Sequence, residues 1–412
     1  MNSISYNATA ATLARLATNA IGLVVVGILT RTLGSDGFGE YNTIFAYLFL
    51  FNALADMGLY TLLVREVSRP SAREHHVVGN LFTLRLFIIL VAIAVADTLV
   101  WALPYSDIVK WGVVIGSISI VGSSLVQVLL GVFQKYLKLH LISIADVIAR
   151  LVQLGGVLLL VWRGHEGILP FVVVVVIAEL IHVILAIRFA RKAVPFSLLF
   201  DTRYWKATLV TALPIAASLV FVLVYFKIDT VMLSLMKSPH EVSVYSVAYK
   251  VLEVIIFFPA MYVGLVMPML SRDANNPTAF RAVYQSTLRF LIATAIPAVI
   301  GIFLLAGIAI RVVGGPGYEE AVGLLKILSL AVGIIFFGNL GGNALIALDL
   351  QRVGAWIYGL GAIVNVVANF IFIPRFGATA AAWNTVATEL IVTVAMFWVI
   401  ERALGRAEVR SG

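Results

Sequence analysis

There is no cysteine in the chain, so disulfides, thiol nucleophiles and zinc centres built on sulfur are excluded. Charge is scarce too: Asp, Glu, Lys and Arg make up 12% of the 412 residues, against about 25% in an ordinary soluble domain. The six histidines form no ligand cluster, and His75-His76 stands in a charged loop, the setting of a solvated face. Gly314 to Gly317 is glycine-rich but lacks the Lys-Ser/Thr of a phosphate-binding loop. Neither nucleotide hydrolysis nor a bound cofactor is therefore expected.

What is abundant is apolar. Hydrophobic residues are 61% of the chain, in runs of the roughly 20 residues that a helix needs to cross hydrocarbon. These predict an all-α, polytopic membrane protein of twelve helices, at about 7–31, 39–64, 77–101, 109–133, 141–163, 167–190, 207–233, 245–270, 282–311, 319–347, 352–374 and 379–402. The first run carries Arg15 and follows no basic segment, so a cleaved signal peptide is not expected. The net charge of +8 is scattered between spans, which argues for topology and against a nucleic-acid partner.

Sixteen Lys and Arg fall in the termini and the connections after even-numbered helices, and six (Arg31, Lys110, Arg163, Lys237, Arg311, Arg375) on the opposite side. The positive-inside rule then puts both termini in the cytoplasm of a multi-pass protein of the cell membrane. The longest connection contains RKAVPFSLLFDTRYWK, basic and aromatic together, which suits a segment on the anionic inner surface. It divides the chain into a first lobe at 1–190, a cytoplasmic interfacial connector at 191–206 and a second lobe at 207–412. Tyr41 precedes Ser68-Arg69 much as Tyr245 precedes Ser271-Arg272, an internal echo. Six helices per repeat keep both halves in one orientation, giving a pseudo-two-fold axis along the membrane normal.

Several charges fall inside the apolar runs. An ionised side chain near the bilayer centre costs about 2.5–3.5 kcal/mol, so Arg15, Arg85, Arg150, Lys227, Lys250, Arg289 and Lys326 must be hydrated, paired or held for an anion. By depth, Arg15, Arg85, Arg150 and Arg289 form an inner tier beside Asp56 and Asp146. Lys227, Lys250 and Lys326 form an outer one beside Asp229 and Glu253. Asp146 and Arg150 are spaced to pair with each other, as are Lys250 and Glu253, while Arg85 and Arg289 lie near enough to helix ends to snorkel.

The chain resembles the polysaccharide-repeat flippases, which carry lipid-linked oligosaccharide or O-antigen units, of the multidrug/oligosaccharidyl-lipid/polysaccharide exporter superfamily. The resemblance is carried by RTLGSDGFGEY at 31–41, ADMGLYTLLVREVSR at 55–69, KIDTVMLS at 227–234, VYSVAYK at 244–250, VMPMLSR at 266–272, GYEEA at 317–321 and VNVVANFIFIPRFGATAAAW at 364–383, with Thr388-Glu389. It implies a V-shaped pair of six-helix lobes that move a polyisoprenyl-pyrophosphate-linked sugar across the membrane by alternating access. With no nucleotide hydrolysed, the driving force is either a gradient of H+ or Na+ or downstream removal of the product, for which polymerase or glycosyltransferase partners are candidates. Arg15, Arg85, Lys227, Lys250, Arg289 and Lys326 are then the expected substrate-binding residues, and Asp56, Asp229 and Glu253 the expected gating or coupling residues, with Asp229 paired to a neighbouring Lys. Asn365, Asn369 and Glu389 are expected in interhelical hydrogen bonds.

Two other classes compete. A cation-coupled drug exporter of the same superfamily typically has an acid on its first helix, where this chain has Arg15. A membrane glycosyltransferase or polymerase would need a sizeable loop bearing catalytic residues, and the connections here are short. The protein is therefore not expected to be an enzyme.

Overall fold

The computed structural model describes residues 3–56, 58–67, 74–194 and 196–411, without the side chains of 3–11, 53, 54, 56, 61, 65, 213–226 and 407–411. The side chains of Asp56, Arg65, Arg69, Arg73 and Arg410, used in the readings above, lie outside the described residues. The described chain is helical: α1 (Ser3–Asp56), α2 (Leu59–Val67), α3 (Glu74–Leu99), α4 (Asp107–Lys135), α5 (Leu139–Trp162), α6 (Ile168–Ala193), α7 (Thr202–Met236), α8 (Pro239–Arg272), α9 (Pro277–Val313), α10 (Glu320–Ala347) and α11 (Gln351–Ser411). Caps explain several starts. Ser106 accepts from the Val109 amide before α4, and Ser238 and Asn276 do the same for Glu241 and Ala279, each followed by proline at the first helical position.

Among the described residues nine helical stretches are long and apolar enough to cross a membrane. Two of them, Thr12–Asn52 and Gln351–Arg406, are long enough for two crossings each, and the 35-residue α7 provides another, which makes the twelve spans expected. Large side chains face outward all along them: Trp162, Leu304, Trp356 and Phe370 are each more than two thirds exposed. Water would penalise such a surface, and lipid does not.

The expected loops between the first and second spans, and between the last two, are not loops. In α1 the turn is made by Gly34 at φ 68°, and in α11 by Gly377 at φ 56°, with helix on either side. The expected second span is itself broken, since α1 stops at Asp56, Gly58 takes φ 67° and α2 follows. Only glycine adopts such φ values without strain.

The chain divides into two compact units, Met1–Leu223 and Val224–Gly412. In the first unit α4 is central, packed on α1, α2, α3 and α6, with α5 bracketed by α1 and α6. In the second, α10 packs on α8, α9 and α11. These central helices are the fourth crossing of each unit, the register that an internal repeat requires. The 191–206 connector packs within the first unit: Val194 and Phe196 are buried in its core, and the division falls further on, inside α7. His75 and His76 keep substantial exposure, and both also meet the connector, at Ser197 (3.3 Å) and Asp201 (3.5 Å).

Gly377 is held from above as well as by its own conformation. Glu241 of α8 accepts the Ala378 amide at 3.0 Å and so caps the second half of α11, and a Cβ on Gly377 would stand 1.8 Å from the same carboxylate oxygen. Gly377→Ala therefore meets both an unfavourable φ and a displaced cap. We expect a loss of more than about 1 kcal/mol, read as a lower melting temperature of the detergent-solubilised protein. Gly405→Ala, with open space around it, should leave melting unchanged.

Candidate functional site

Arg85 of α3 is fully buried in the first unit. Its guanidinium donates to Ser124 Oγ at 2.6 Å, to Gln127 Oε1 at 3.0 Å and to the Ala55 carbonyl oxygen at 2.5 Å, tying α3 to α4 and to the end of the first long helix. The expectation that it snorkels to a helix end is corrected: three acceptors inside the protein answer its charge. Ser124 and Gln127 are three residues apart and so share a face of α4.

Gln127 also lines a cavity of about 310 Å³. Arg15 enters this space from α1, Asp146 and Arg150 from α5, and Glu179 and His182 from α6. Asp146 and Arg150 are paired, as their spacing suggested, at 3.8 Å, but Arg150 also reaches Glu179 at 4.0 Å and donates to Gln153 at 2.9 Å. His182 Nδ1 is 3.6 Å from Glu179, whereas His182 Nε2 and Glu179 Oε2 are buried without a hydrogen-bond partner among the described residues. Glu179 and His182 were missed in the sequence reading. The signal was present, an acid and a histidine three apart in an otherwise apolar run.

In the second unit one carboxylate serves two lysines. Glu253 of α8 pairs with Lys227 of α7 and, at 2.9 Å, with Lys250 one turn earlier on its own helix. Lys227 also lies over the Tyr249 ring, 4.9 Å from its centre. All three charged side chains are between a quarter and two fifths exposed, and together they carry one positive charge in excess. Lys326 of α10 stays apart, over the Phe303 ring at 4.9 Å, and Arg289 is exposed on α9.

Among the described residues Asp229 pairs with no lysine, which corrects the pairing expected for it. Residues two apart on a helix point to different faces, so Lys227 meets Glu253 of α8 while Asp229 turns to α11 and to Tyr245 of α8. There it is buried among neutral donors: Tyr245 Oη at 3.1 Å, Thr385 Oγ1 at 2.8 Å and Asn369 Nδ2 at 2.5 Å. Asn369 also donates to Asn365 Oδ1 and accepts from Asn384. Asn369 thus makes an interhelical bond to α7. Glu389 is buried on α11.

Two compact helical units with charged clusters inside spanning helices define the class, an all-helical polytopic membrane protein. Within it the chain belongs to the polysaccharide biosynthesis protein family, whose model matches residues 4–273, while a MatE model matches 214–371. It is 29% identical over 188 residues to the "Probable flippase AglR" of Haloferax volcanii, covering 44% of this chain and 38% of that one. It is 28% identical over 97 residues to the "Uncharacterized membrane protein MJ1068" of Methanocaldococcus jannaschii, 24% of this chain and 19% of that one. The matches thus span well under half the length of these curated relatives. Among solved structures, "Lipid II flippase MurJ, inward closed conformation" aligns with a TM-score of 0.78 at 14% identity, over 97% of this chain and 90% of that one. An "Inward-facing conformation of a multidrug resistance MATE family transporter of the MOP superfamily" aligns at 0.76 and 11%, over 98% and 96%. Of these relatives, two bear the name of flippase and one that of transporter.

The two arginines of the first unit should separate cleanly. Arg85→Ala leaves Ser124, Gln127 and the Ala55 carbonyl without their donor and should cost about 2–4 kcal/mol, seen as a lower melting temperature. Arg15 is exposed to the cavity, and Arg15→Ala should melt like the wild type.

Proposed function

We propose that the protein is a flippase that carries a polyisoprenyl-pyrophosphate-linked oligosaccharide from the inner to the outer leaflet, for surface polysaccharide biosynthesis. The single observation that carries the reading is the Lys227–Glu253–Lys250 triad, a partly exposed cluster with one uncompensated positive charge inside membrane-spanning helices. Such a charge is tolerated where an anion or water answers it. A pyrophosphate is an anion of the right kind, since ammonium groups serve as point charges and guanidinium forks as bidentate partners for phosphate. Arg15 at the first-unit cavity is the second contact, with Arg289 and Lys326 as further cationic stations. Arg85, enclosed by its own acceptors, takes a supporting part. The family match, and relatives named as a flippase and a lipid II flippase, support the same reading.

The sugar head group enters from the cytoplasmic side while the lipid tail remains in the bilayer, and it is released on the other side by alternating access. Binding has to be moderate, because a head group held equally tightly in every state would not be released. Asp229 is the coupling group in this scheme. Its one negative charge sits among hydroxyl and amide groups, a setting that accepts a proton or Na+. The protein lies in the cell membrane with both termini in the cytoplasm, and passes its product to polymerase or glycosyltransferase partners.

The MatE match over 214–371, and the likeness to a MATE transporter, favour a second reading, a cation-coupled drug exporter. Native mass spectrometry of the full chain separates the two. Offered a polyisoprenyl-pyrophosphate sugar against a lipophilic cation, the wild type should retain the pyrophosphate lipid. Lys250→Ala and Arg15→Ala should each weaken retention about tenfold, the size of one lost charge-assisted contact. Preference for the cation, indifferent to both substitutions, would put the drug exporter first.

A separate measurement addresses coupling. In proteoliposomes Asp229→Asn should bind the lipid substrate as before yet lose the response of transport to an imposed H+ or Na+ gradient. An unchanged gradient response would remove Asp229 from that role.

A further inference from the structure

The strap between α6 and α7 is fixed to the first unit by its backbone. The Asp201 amide donates to Asn80 Oδ1 at 2.8 Å and the Leu199 amide to Thr83 Oγ1 at 3.2 Å, both on α3. Gly79 makes room for the strap, since a Cβ there would be 2.5 Å from the Ser197 carbonyl oxygen. Phe196 turns inward against Phe82, and Leu198 and Phe200 are left facing out, 49% and 72% exposed. Because it joins two spanning helices, this strap lies at the membrane surface.

Its charge is one-sided. Between residues 188 and 206 stand Arg188, Arg191, Lys192, Arg203 and Lys206, all exposed, and a single acid. That acid, Asp201, is already engaged, with Oδ1 accepting the Tyr204 amide at 3.0 Å and the Arg203 amide at 3.1 Å and Oδ2 facing His76. The Tyr204 amide, followed by those other contacts, holds its carboxyl below the usual range, so it stays ionised and committed to them. Beside it a pocket of about 450 Å³ opens between Arg191, His75, Ser197, Phe196 and Leu198. Arg191 is held over the Phe196 ring, 5.6 Å from its centre, and Ser197 Oγ and His75 Nε2 are in hydrogen-bond contact. A guanidinium fork, an imidazole and a hydroxyl converge at the mouth of a pocket with an outward apolar rim.

We propose that this pocket binds the phosphate headgroup of an anionic membrane phospholipid, with the acyl chains lying along Leu198 and Phe200. The charge chooses an anion, the fork geometry a phosphate, and the apolar rim an amphiphile over a soluble ion. The site is separate from the triad and the cavity, and does not rest on what the protein transports.

The test is native mass spectrometry of the delipidated full-length protein, offered phosphatidylglycerol or phosphatidylcholine of identical acyl chains. The wild type is expected to retain phosphatidylglycerol about tenfold better, the scale of one charge-assisted contact. Arg191→Ala should abolish most of that preference, and Arg191→Lys, which keeps the charge and loses the fork, should retain part of it. Arg203→Ala removes an equal charge outside the pocket and should change little. Excess inorganic phosphate should not displace the lipid. Equal retention of the two lipids by the wild type, equal losses in Arg191→Ala and Arg203→Ala, or displacement by inorganic phosphate would each overturn the proposal. A wild-type melting temperature for Arg191→Lys distinguishes lost recognition from lost fold.

Discussion

A charge within hydrocarbon must be answered by something nearby, and the polar interior of this protein is arranged around that cost. The answer differs from place to place. Arg85 donates to neutral oxygens on two other helices, which leaves it enclosed and its helices tied. Arg150 is shared between two carboxylates at the edge of ion-pair distance. Lys227 and Lys250 divide a single carboxylate, and Asp229 has only dipoles around it. Lys227 and Lys250 thus exceed their shared carboxylate by one positive charge, while Asp229, two residues along α7 from Lys227, meets neutral donors among the described residues.

That juxtaposition follows from helix geometry. Lys227 and Asp229 are two residues apart, so one helix presents a cation to α8 and an anion to α11 without the two cancelling. Had they been three or four apart, they would have formed an intrahelical pair and both excess charges would be gone. Tyr245 and Tyr249, stacked one turn apart with ring centres 5.6 Å from each other, stand between the two surroundings: the first donates to Asp229 and the second carries the Lys227 ammonium on its face. A cationic cluster and an anionic group thus stand close together in one unit without forming an ion pair.

Much of this was legible in the order of residues. Twelve crossings could be counted from hydropathy, because a span must be apolar whatever it packs against. The Asp146–Arg150 and Lys250–Glu253 pairs followed from spacing along one helix. What could not be read were partners on other helices. Nothing in the sequence near Arg85 indicates that Ser124 and Gln127 will meet it, and nothing near Lys227 indicates that Glu253 will. The turns at Gly34 and Gly377 read as loops because glycine, proline and charge cluster there, whereas the backbone turns at one residue and remains helical on both sides. Glu179 and His182 went unnoticed in a valine-rich stretch, although an acid in such a place seldom lacks a reason.

Gln127 belongs to two surroundings, the enclosed guanidinium and the open cavity. A guanidinium can only donate, so the amide must turn its oxygen toward Arg85, and the end it has left to offer is the NH2. The polarity of this piece of cavity wall is thereby set from behind, by a residue that no occupant touches. A glutamine is ambidextrous in principle, able to greet a donor or an acceptor, and here its handedness has been chosen in advance. Whatever enters beside Gln127 meets a donor at that point, in a wall that elsewhere presents the carboxylates of Asp146 and Glu179.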